Sequence, residues 1–379
     1  MILSEIKNTL NKLPVPTKIT FGNGSLKYVG LKAGKYGKKV LVVCGKKSAK
    51  KFGYLNRLIE LLRKQKIQSI IFDSISPEPK SDEVNEGIAI AKYNKVDIVI
   101  GFGGGSSIDA AKAIAVGING LSIEDIIGKS LPTDNNSLPI IAIPTTAGSG
   151  SEVTKGSIIT DVKRKLKLGI RGDDIFPKEA IIDPELTISC PENVTVQTGF
   201  DTFSHIFESY VAKKSSIITD RYAEEALLII KEFLPKCLAN RLDIKAREKM
   251  SYAALLGGVC VANASTCLPH RLQQAMGGVI DVAHGKGLAI LYKSWFKIAY
   301  PFKINKFDKF LNILDIDGTP NSVLENFMKK IKMDFKLSDI GAKKSNIDQF
   351  IDRVNGNIDN DPIDNIDTEL MRKIYLESF

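Results

Sequence analysis

Histidine is nearly missing from this chain: three occur in 379 residues, at positions 205, 270 and 284. Cysteine is also sparse. The five cysteines (Cys44, Cys190, Cys237, Cys260, Cys267) are odd in number, widely scattered and without CxxC spacing. That argues against a disulfide framework or a cysteine metal knuckle, and for small buried hydrophobes in a reducing compartment, hence a cytoplasmic protein. No run approaches the ~18 apolar residues that span a bilayer. The opening stretch, residues 1–16, is interrupted by Glu5 and Lys7, so it reads as a short amphipathic element and not a secretory leader. Internal repeats and long linkers are lacking too. The formal charge of +10 invites a nucleic-acid reading. Against it, the lysines are spread along the chain, cluster only briefly (Lys46-Lys47, Lys50-Lys51) and have no interleaved aromatics.

What is present is ordinary globular material, 44% hydrophobic and 25% charged, long enough for two cores. Residues 16–22 alternate and predict an edge strand closed by Gly22 and Gly24. The continuous apolar run Lys39–Cys44 predicts a strand buried on both faces. A helix near Tyr54–Lys66, a strand at 67–73, a helix at 82–94 and a strand at 97–101 complete a β-α-β-α-β alternation, which implies right-handed crossovers and a doubly wound parallel sheet. Two more strands are expected at 140–143 and 180–183, with a hairpin near 156–170. After residue 190 helical periodicity takes over, at 194–213, 220–239, 245–264, 286–300, 320–333, 345–354 and 368–378. The expected division is therefore an α/β half at 1–189 and an all-helical half at 190–379. The Asn/Asp-rich stretch 355–367 reads as a surface loop.

Asp201 and His205 are four residues apart in Thr198–Glu208, so on a helix they leave the same face, about 5–6 Å apart at Cβ. Their neighbours Phe200, Phe203, Ile206 and Phe207 are apolar, and a carboxylate on such a face needs a partner. With His270 and His284, Asp201 and His205 make a mixed oxygen and nitrogen donor set suited to Fe(II), Zn(II) or a similar divalent ion.

Two glycine motifs follow predicted strands. In Gly101–Lys112, Gly103, Gly104 and Gly105 let the backbone approach a ligand closely, with N–H groups turned into one concavity at a helix start. Ser106 with Asp109 fits a capping box there. This reads as a pyrophosphate cradle, although it follows the third strand and not the first. The second motif, Ile143–Thr154, offers the hydroxyls of Thr145, Thr146 and Ser151 to a ribose or phosphate.

Together these motifs resemble the iron-containing (group III) alcohol dehydrogenases of the dehydroquinate synthase-like superfamily. The family's GGGSxxDxxK stands here as Gly103–Lys112, its IPTTxGxGSE as Ile143–Glu152, and its DPxL…TGxDxxxH as Asp183–Leu186 with Thr198–His205. His284 follows His270 by 14 residues and precedes Gly285, as the family's last two ligands do. The resemblance runs from about residue 16 to the end. It implies a Rossmann-like dinucleotide domain, a helical metal domain and a cleft between them. It also implies a metal held by Asp201, His205, His270 and His284 as the catalytic centre. Gly104, Gly105, Ser106, Thr145, Thr146 and Lys167 fall where the family contacts NAD(P). The reaction implied is hydride transfer between a metal-bound alcohol or aldehyde and nicotinamide, probed by a small-molecule substrate in what is expected to be a homodimer.

One departure matters. Many members carry a histidine four residues after the third ligand, where this chain has Gln274. Arg271 makes the same segment more polar and points to an acidic or phosphorylated substrate, or a sugar acid. After the first predicted strand, where NAD-preferring members usually place an Asp, Gly45-Lys46-Lys47-Ser48 lacks the charge and offers donors, favouring NADP over NAD. The rival readings are a polyol dehydrogenase or a dehydroquinate synthase-like lyase. The lyase's loop typically has Gly-Phe where this chain has Lys112-Ala113, and its first ligand is normally Glu.

Overall fold

The computed structural model describes residues 15–132 and 136–379, so most of the expected N-terminal element lies outside the described residues. Eight strands form: β1 (Lys18–Phe21), β2 (Lys39–Gly45), β3 (Gln68–Ile75), β4 (Ile98–Gly103), β5 (Ile140–Pro144), β6 (Gly156–Asp161), β7 (Leu166–Arg171) and β8 (Glu179–Ile182). Six of them make one sheet in the order β1-β8-β5-β4-β2-β3, with every pair parallel. β1 is an edge strand, as its alternation suggests, while β2 and β4 are buried throughout their centres. Apolar side chains on the two sheet faces enter separate cores, one holding Leu41, Val43 and Val99, the other Val40, Val42 and Ile98. β6 and β7 stand apart as an antiparallel hairpin.

The helices that matter here are α1 (Tyr54–Lys64), α2 (Ser81–Asn94), α3 (Gly105–Gly117), α4 (Glu192–Val211), α5 (Ile217–Ala239), α6 (Ile244–Ala264), α7 (Leu268–Gly277), α8 (His284–Ala299), α9 (Ile304–Leu314), α10 (Pro320–Lys330) and α11 (Thr368–Glu377). No described strand follows β8, so the change from mixed to helical structure falls where the periodicity changes. Two helices escape sequence periodicity, α7 and α9. α7 is short and carries His270, Arg271, Gln273 and Gln274, all of them buried. Its polar residues face inward, which removes the amphipathic stripe that announces a surface helix.

The Asn/Asp-rich stretch is a loop exposed at both ends, but its middle turns inward. Asn360, Asp361 and Ile363 are buried. Asp361 Oδ2 accepts from the Leu268 amide at 2.8 Å and from Trp295 Nε1 at 3.0 Å, while Asn360 Nδ2 donates to the carbonyls of Ala264 and Thr266. These polar side chains satisfy the orphan amides and carbonyls where α6 ends and α7 begins. Composition alone cannot distinguish a solvated polar loop from one spent on helix ends.

The five cysteines are free and buried, as expected. Among the described residues no single helix is long and apolar enough to cross a membrane; α6 and α7 qualify only as a pair, bent by 101°.

Candidate metal and dinucleotide site

α4 builds the centre of the site. One stripe of the helix, Phe200, Phe203 and Phe207, joins a ring cluster with Tyr292, Trp295, Phe307 and Phe310, the heart of the helical core. Anchored by that stripe, the helix directs Asp201 and His205 the other way. His205 Nε2, His270 Nε2 and His284 Nε2 lie 3.6, 3.9 and 3.5 Å from Asp201 Oδ1. The donor atoms of Asp201, His270 and His284 all fall within 4.8 Å of one another, and the rings of His205 and His270 stack at 4.9 Å. All four ligands expected from the sequence therefore converge.

Two observations fit a cation at that point. Asp201 Oδ1 and His270 Nε2 are buried with no hydrogen-bond partner, and an orphaned carboxylate oxygen beside an orphaned imidazole nitrogen is costly unless something binds both. Protonation states agree. Burial, reinforced by neighbouring cations, holds His270 and His284 well below the usual imidazole value, so both are neutral and have a lone pair to give. Burial likewise raises the Asp201 carboxyl, as expected for an acid awaiting a cation.

Sequence reasoning missed the residues that aim these ligands. Glu208, one turn beyond His205, is fully buried. Its Oε1 is hydrogen-bonded to His270 Nδ1 at 2.8 Å, and its Oε2 accepts from the Cys267 amide at 2.7 Å, so one carboxyl group grips both that imidazole and the first turn of α7. His284 Nδ1 is bonded to Gln273 Oε1. Each contact puts the ring proton on Nδ1 and leaves Nε2 free, the arrangement a ligating histidine requires. The signal existed in principle, since Glu208 lies seven residues after Asp201 on the same helix face. Glycine after His284 has a packing reason: a Cβ on Gly285 would sit 2.3 Å from the Gln197 carbonyl oxygen, so only glycine lets α8 start against α4.

The two glycine motifs meet beside this centre. The Thr145 amide donates to the Gly103 carbonyl at 2.8 Å, and a Cβ on Gly105 would lie 2.7 Å from Ser149. Gly104, Gly105, Ser106, Thr145 and Thr146 remain half-buried. Thr202 Oγ1 approaches the carbonyls of Ala147 and Gly148, and Gly148 packs on Thr198. The second motif thus abuts the turn of α4 that carries Asp201. Lys167 closes the third side; it pairs with Glu78, and its charge is felt at Asp201, His270 and His284.

Two expectations need correction. The Ser106–Asp109 capping box does not form: α3 is capped by Gly104 with no side-chain bond, and Ser106 Oγ points to the Pro77 carbonyl. Asp109 instead accepts from Ser151 Oγ at 2.5 Å and from the Ile158 amide at 2.9 Å. Ser151 is buried and also accepts from Lys112 Nζ, which reaches on to the carbonyls of Thr154 and Gly156. Asp109 and Ser151 therefore hold the two glycine loops together from behind, and their polar atoms are already engaged. Burial, only partly offset by Asp109 and Glu152, also brings the Lys112 ammonium down to about 8. At the end of β2, Gly45 lies beside β3, Lys46 pairs with Glu83 at 3.6 Å but stays mostly exposed, and Ser48 is exposed at the start of a short helical turn.

Comparison with known proteins agrees with this geometry. Residues 16–184 match the model of the iron-containing alcohol dehydrogenases, and residues 195–379 match that of the C-terminal part of the Fe-containing alcohol dehydrogenase family. The chain is 37% identical to the NAD-dependent methanol dehydrogenase of Bacillus methanolicus over 72% of its own length and 71% of that protein's. Among solved structures, an alcohol dehydrogenase from an archaeal halo-thermophile of a Red Sea brine pool superposes with a TM-score of 0.92 at 29% identity, covering 96% of this chain and 97% of that one. The sulfoacetaldehyde reductase of Bifidobacterium kashiwanohense, in complex with NAD+, superposes with a TM-score of 0.84 at 28% identity, covering 96% of each chain. Four converging ligands, a paired glycine cradle and two family models that between them span nearly the whole chain lead to one conclusion: this protein belongs to the iron-containing alcohol dehydrogenase family of oxidoreductases.

Proposed function

We propose that this protein is a metal-dependent alcohol dehydrogenase and aldehyde reductase that prefers NADP(H) to NAD(H) and acts on a small substrate bearing an acidic group. The observation that carries the reading is the pair of orphaned buried atoms, Asp201 Oδ1 and His270 Nε2, beside the glycine cradle. Asp201, His205, His270 and His284 would hold Fe2+ or Zn2+; Gly103, Gly104, Gly105, Thr145, Thr146 and Lys167 would line the path of the dinucleotide. When bound, the cation supplies Lewis acidity toward the alcohol or carbonyl oxygen, and the nicotinamide supplies hydride exchange.

The remaining work belongs to the chain's own residues. Glu208 and Gln273 hold two imidazoles in the ligating tautomer, and the aromatic core behind α4 fixes the metal-facing side chains. Gln274 sits one turn after His270; its Oε1 accepts from Arg271 at 3.3 Å, which leaves its NH2 to donate. An amide cannot titrate, so the alcohol proton leaves through solvent or a ribose hydroxyl. For NADP(H), the support is Gly45, which places no carboxylate at the end of β2, with Lys46 and Ser48 exposed next to it. An acidic substrate is supported by Arg271 and by the likeness to a reductase whose substrate carries a sulfonate.

The test is nucleotide-linked turnover of a panel of alcohols, diols, hydroxy acids and their aldehydes with NAD(H) and NADP(H), using protein loaded with Fe2+ or Zn2+ and verified by metal analysis. Fully loaded protein that oxidises no alcohol and reduces no aldehyde with either nucleotide would refute the reading.

A further inference from the structure

A glutamate stands in strained backbone at the border of the nucleotide cradle. The turn Ser76-Pro77-Glu78-Pro79-Lys80 links β3 to α2, and Glu78, between the two prolines, has a φ of +32°. Residues other than glycine avoid that region, and a following proline narrows the choice further. Such a conformation persists only where surrounding contacts over-determine it. Here they do. Glu83 Oε2 accepts from Ser76 Oγ at 2.9 Å, from the Ser76 amide at 3.2 Å and from the Lys80 amide at 3.3 Å. The Thr160 amide on β6 donates to the Pro79 carbonyl at 2.9 Å, and Ser106 Oγ of the cradle meets the Pro77 carbonyl at 3.5 Å. The pinned turn presents one side chain: the Glu78 carboxylate pairs with Lys167 Nζ on the hairpin strand β7.

That pair joins the cradle to the metal centre. The Lys167 side chain is 5% exposed and that of Glu78 31%, so the acid is the partner open to solvent. Among the described residues Glu78 is also the one carboxylate in ion-pair contact with Lys167. Lys167 reaches α7 as well: a Cβ on Gly277 would lie 3.9 Å from Lys167 Nζ and 3.3 Å from Gln273 Nε2. Gln273 is the residue whose Oε1 holds His284, and its own Nε2 is buried with no partner. Contacts therefore run from Ser106 through Pro77 and Glu78 to Lys167, and on to Gln273 and His284. A nucleotide with its phosphates on the cradle and its ring at the metal spans the same two ends. Oxidised nicotinamide is a cation and reduced nicotinamide is neutral, while the phosphates are the same in both. A lone, nearly buried ammonium would repel the oxidised ring, and an opposed carboxylate offsets that repulsion.

We propose that Glu78 sets the redox preference of the dinucleotide site: by offsetting Lys167 it lets the strip between cradle and metal accept the cationic, oxidised nicotinamide. Glu78 is a positioning residue that acts through Lys167. The proposal rests on the dinucleotide reading above and adds Glu78 to it.

The test reads binding and not turnover. Dissociation constants for NAD+, NADH, NADP+ and NADPH are measured by calorimetry on the metal-loaded wild type and on Glu78→Gln, Glu78→Gly and Glu78→Asp. Loss of the charge in Glu78→Gln should raise the Kd ratio of oxidised to reduced nucleotide by about three- to tenfold. Glu78→Gly removes the same charge while suiting the left-handed backbone, so it should shift the ratio alike and serves if glutamine disturbs the turn. Glu78→Asp keeps the charge and should hold the ratio closer to that of wild type. A pair that only braces the hairpin gives a different result, in which both forms weaken or tighten together. An unchanged ratio in Glu78→Gln and Glu78→Gly, with both forms still bound, overturns the proposal alone. Wild type that binds neither form overturns the dinucleotide reading and the proposal with it.

Discussion

The two halves of the site are built from opposite materials. In the helical half, side chains face the centre: Asp201, His205, His270 and His284 project from α4, α7 and α8, and three of their polar atoms have no internal partner. In the α/β half, glycine-rich backbone borders that centre. The motif side chains most like a functional signature, Asp109, Lys112 and Ser151, are spent on one another behind the loops. A motif residue is thus functional in two senses, by touching the ligand or by shaping the peptide that does. The unpartnered atom separates the two cases better than the motif does.

The largest effect should come from removing a metal-facing side chain. His270→Ala or His284→Ala is expected to lose most bound metal and nearly all turnover while nucleotide affinity, measured by fluorescence titration, stays within a few-fold; full metal occupancy in both variants would break the contrast. Glu208→Gln comes next. It spares every ligand but loses one of two acceptors, and metal affinity should fall by roughly ten- to a hundredfold, as for other ligand-orienting partners. Chelator competition reads this directly, and an unchanged constant would mean that His270 needs no orientation.

In the other half, Gly105→Ala brings a methyl within contact of Ser149. Nucleotide binding should weaken by about tenfold, the equivalent of about 1.4 kcal/mol, with metal content intact. Should metal be lost as well, the halves are not separable. Gly45→Asp is sterically easy, since its Cβ would lie 3.5 Å from the Ile75 carbonyl. The added charge should move the NADPH/NADH ratio of kcat/KM toward NADH by several-fold, and a ratio that does not move would show that this turn does not read the ribose. The smallest effect is expected from Gln274→His, which should add a titration near the unperturbed histidine value of ~6.5 to the pH profile of kcat; a profile identical to wild type would show that position 274 does not exchange the proton.

Much of this was legible beforehand because it rests on local periodicity. Buried parallel strands read as continuous apolar runs, and the sheet from β2 to β5 follows from them. Asp201 and His205 share a helix face by spacing alone, and the scarcity of histidine left few candidates for the other ligands. The homologous motifs then supplied the pairing of His270 with His284. What failed did so for one reason. α7, Glu208, Gln273 and the Asn360–Asp361 segment are polar elements whose partners are far away in sequence. Glu208 meets His270 across 62 residues, and Asp361 meets Leu268 across 93. Local pattern reports a polar residue as exposed, and only the packed chain shows that its hydrogen bonds are made inside.

The sequence by itself therefore determined the order of elements, the change from α/β to helical structure and the sharing of one helix face by Asp201 and His205, since each depends on residue type and short-range spacing. The tertiary structure decided which atoms remain unsatisfied and which motif side chains face inward. Those facts depend on long-range burial, where the cost of an unpaired polar group is set by its surroundings and not by its neighbours in the chain.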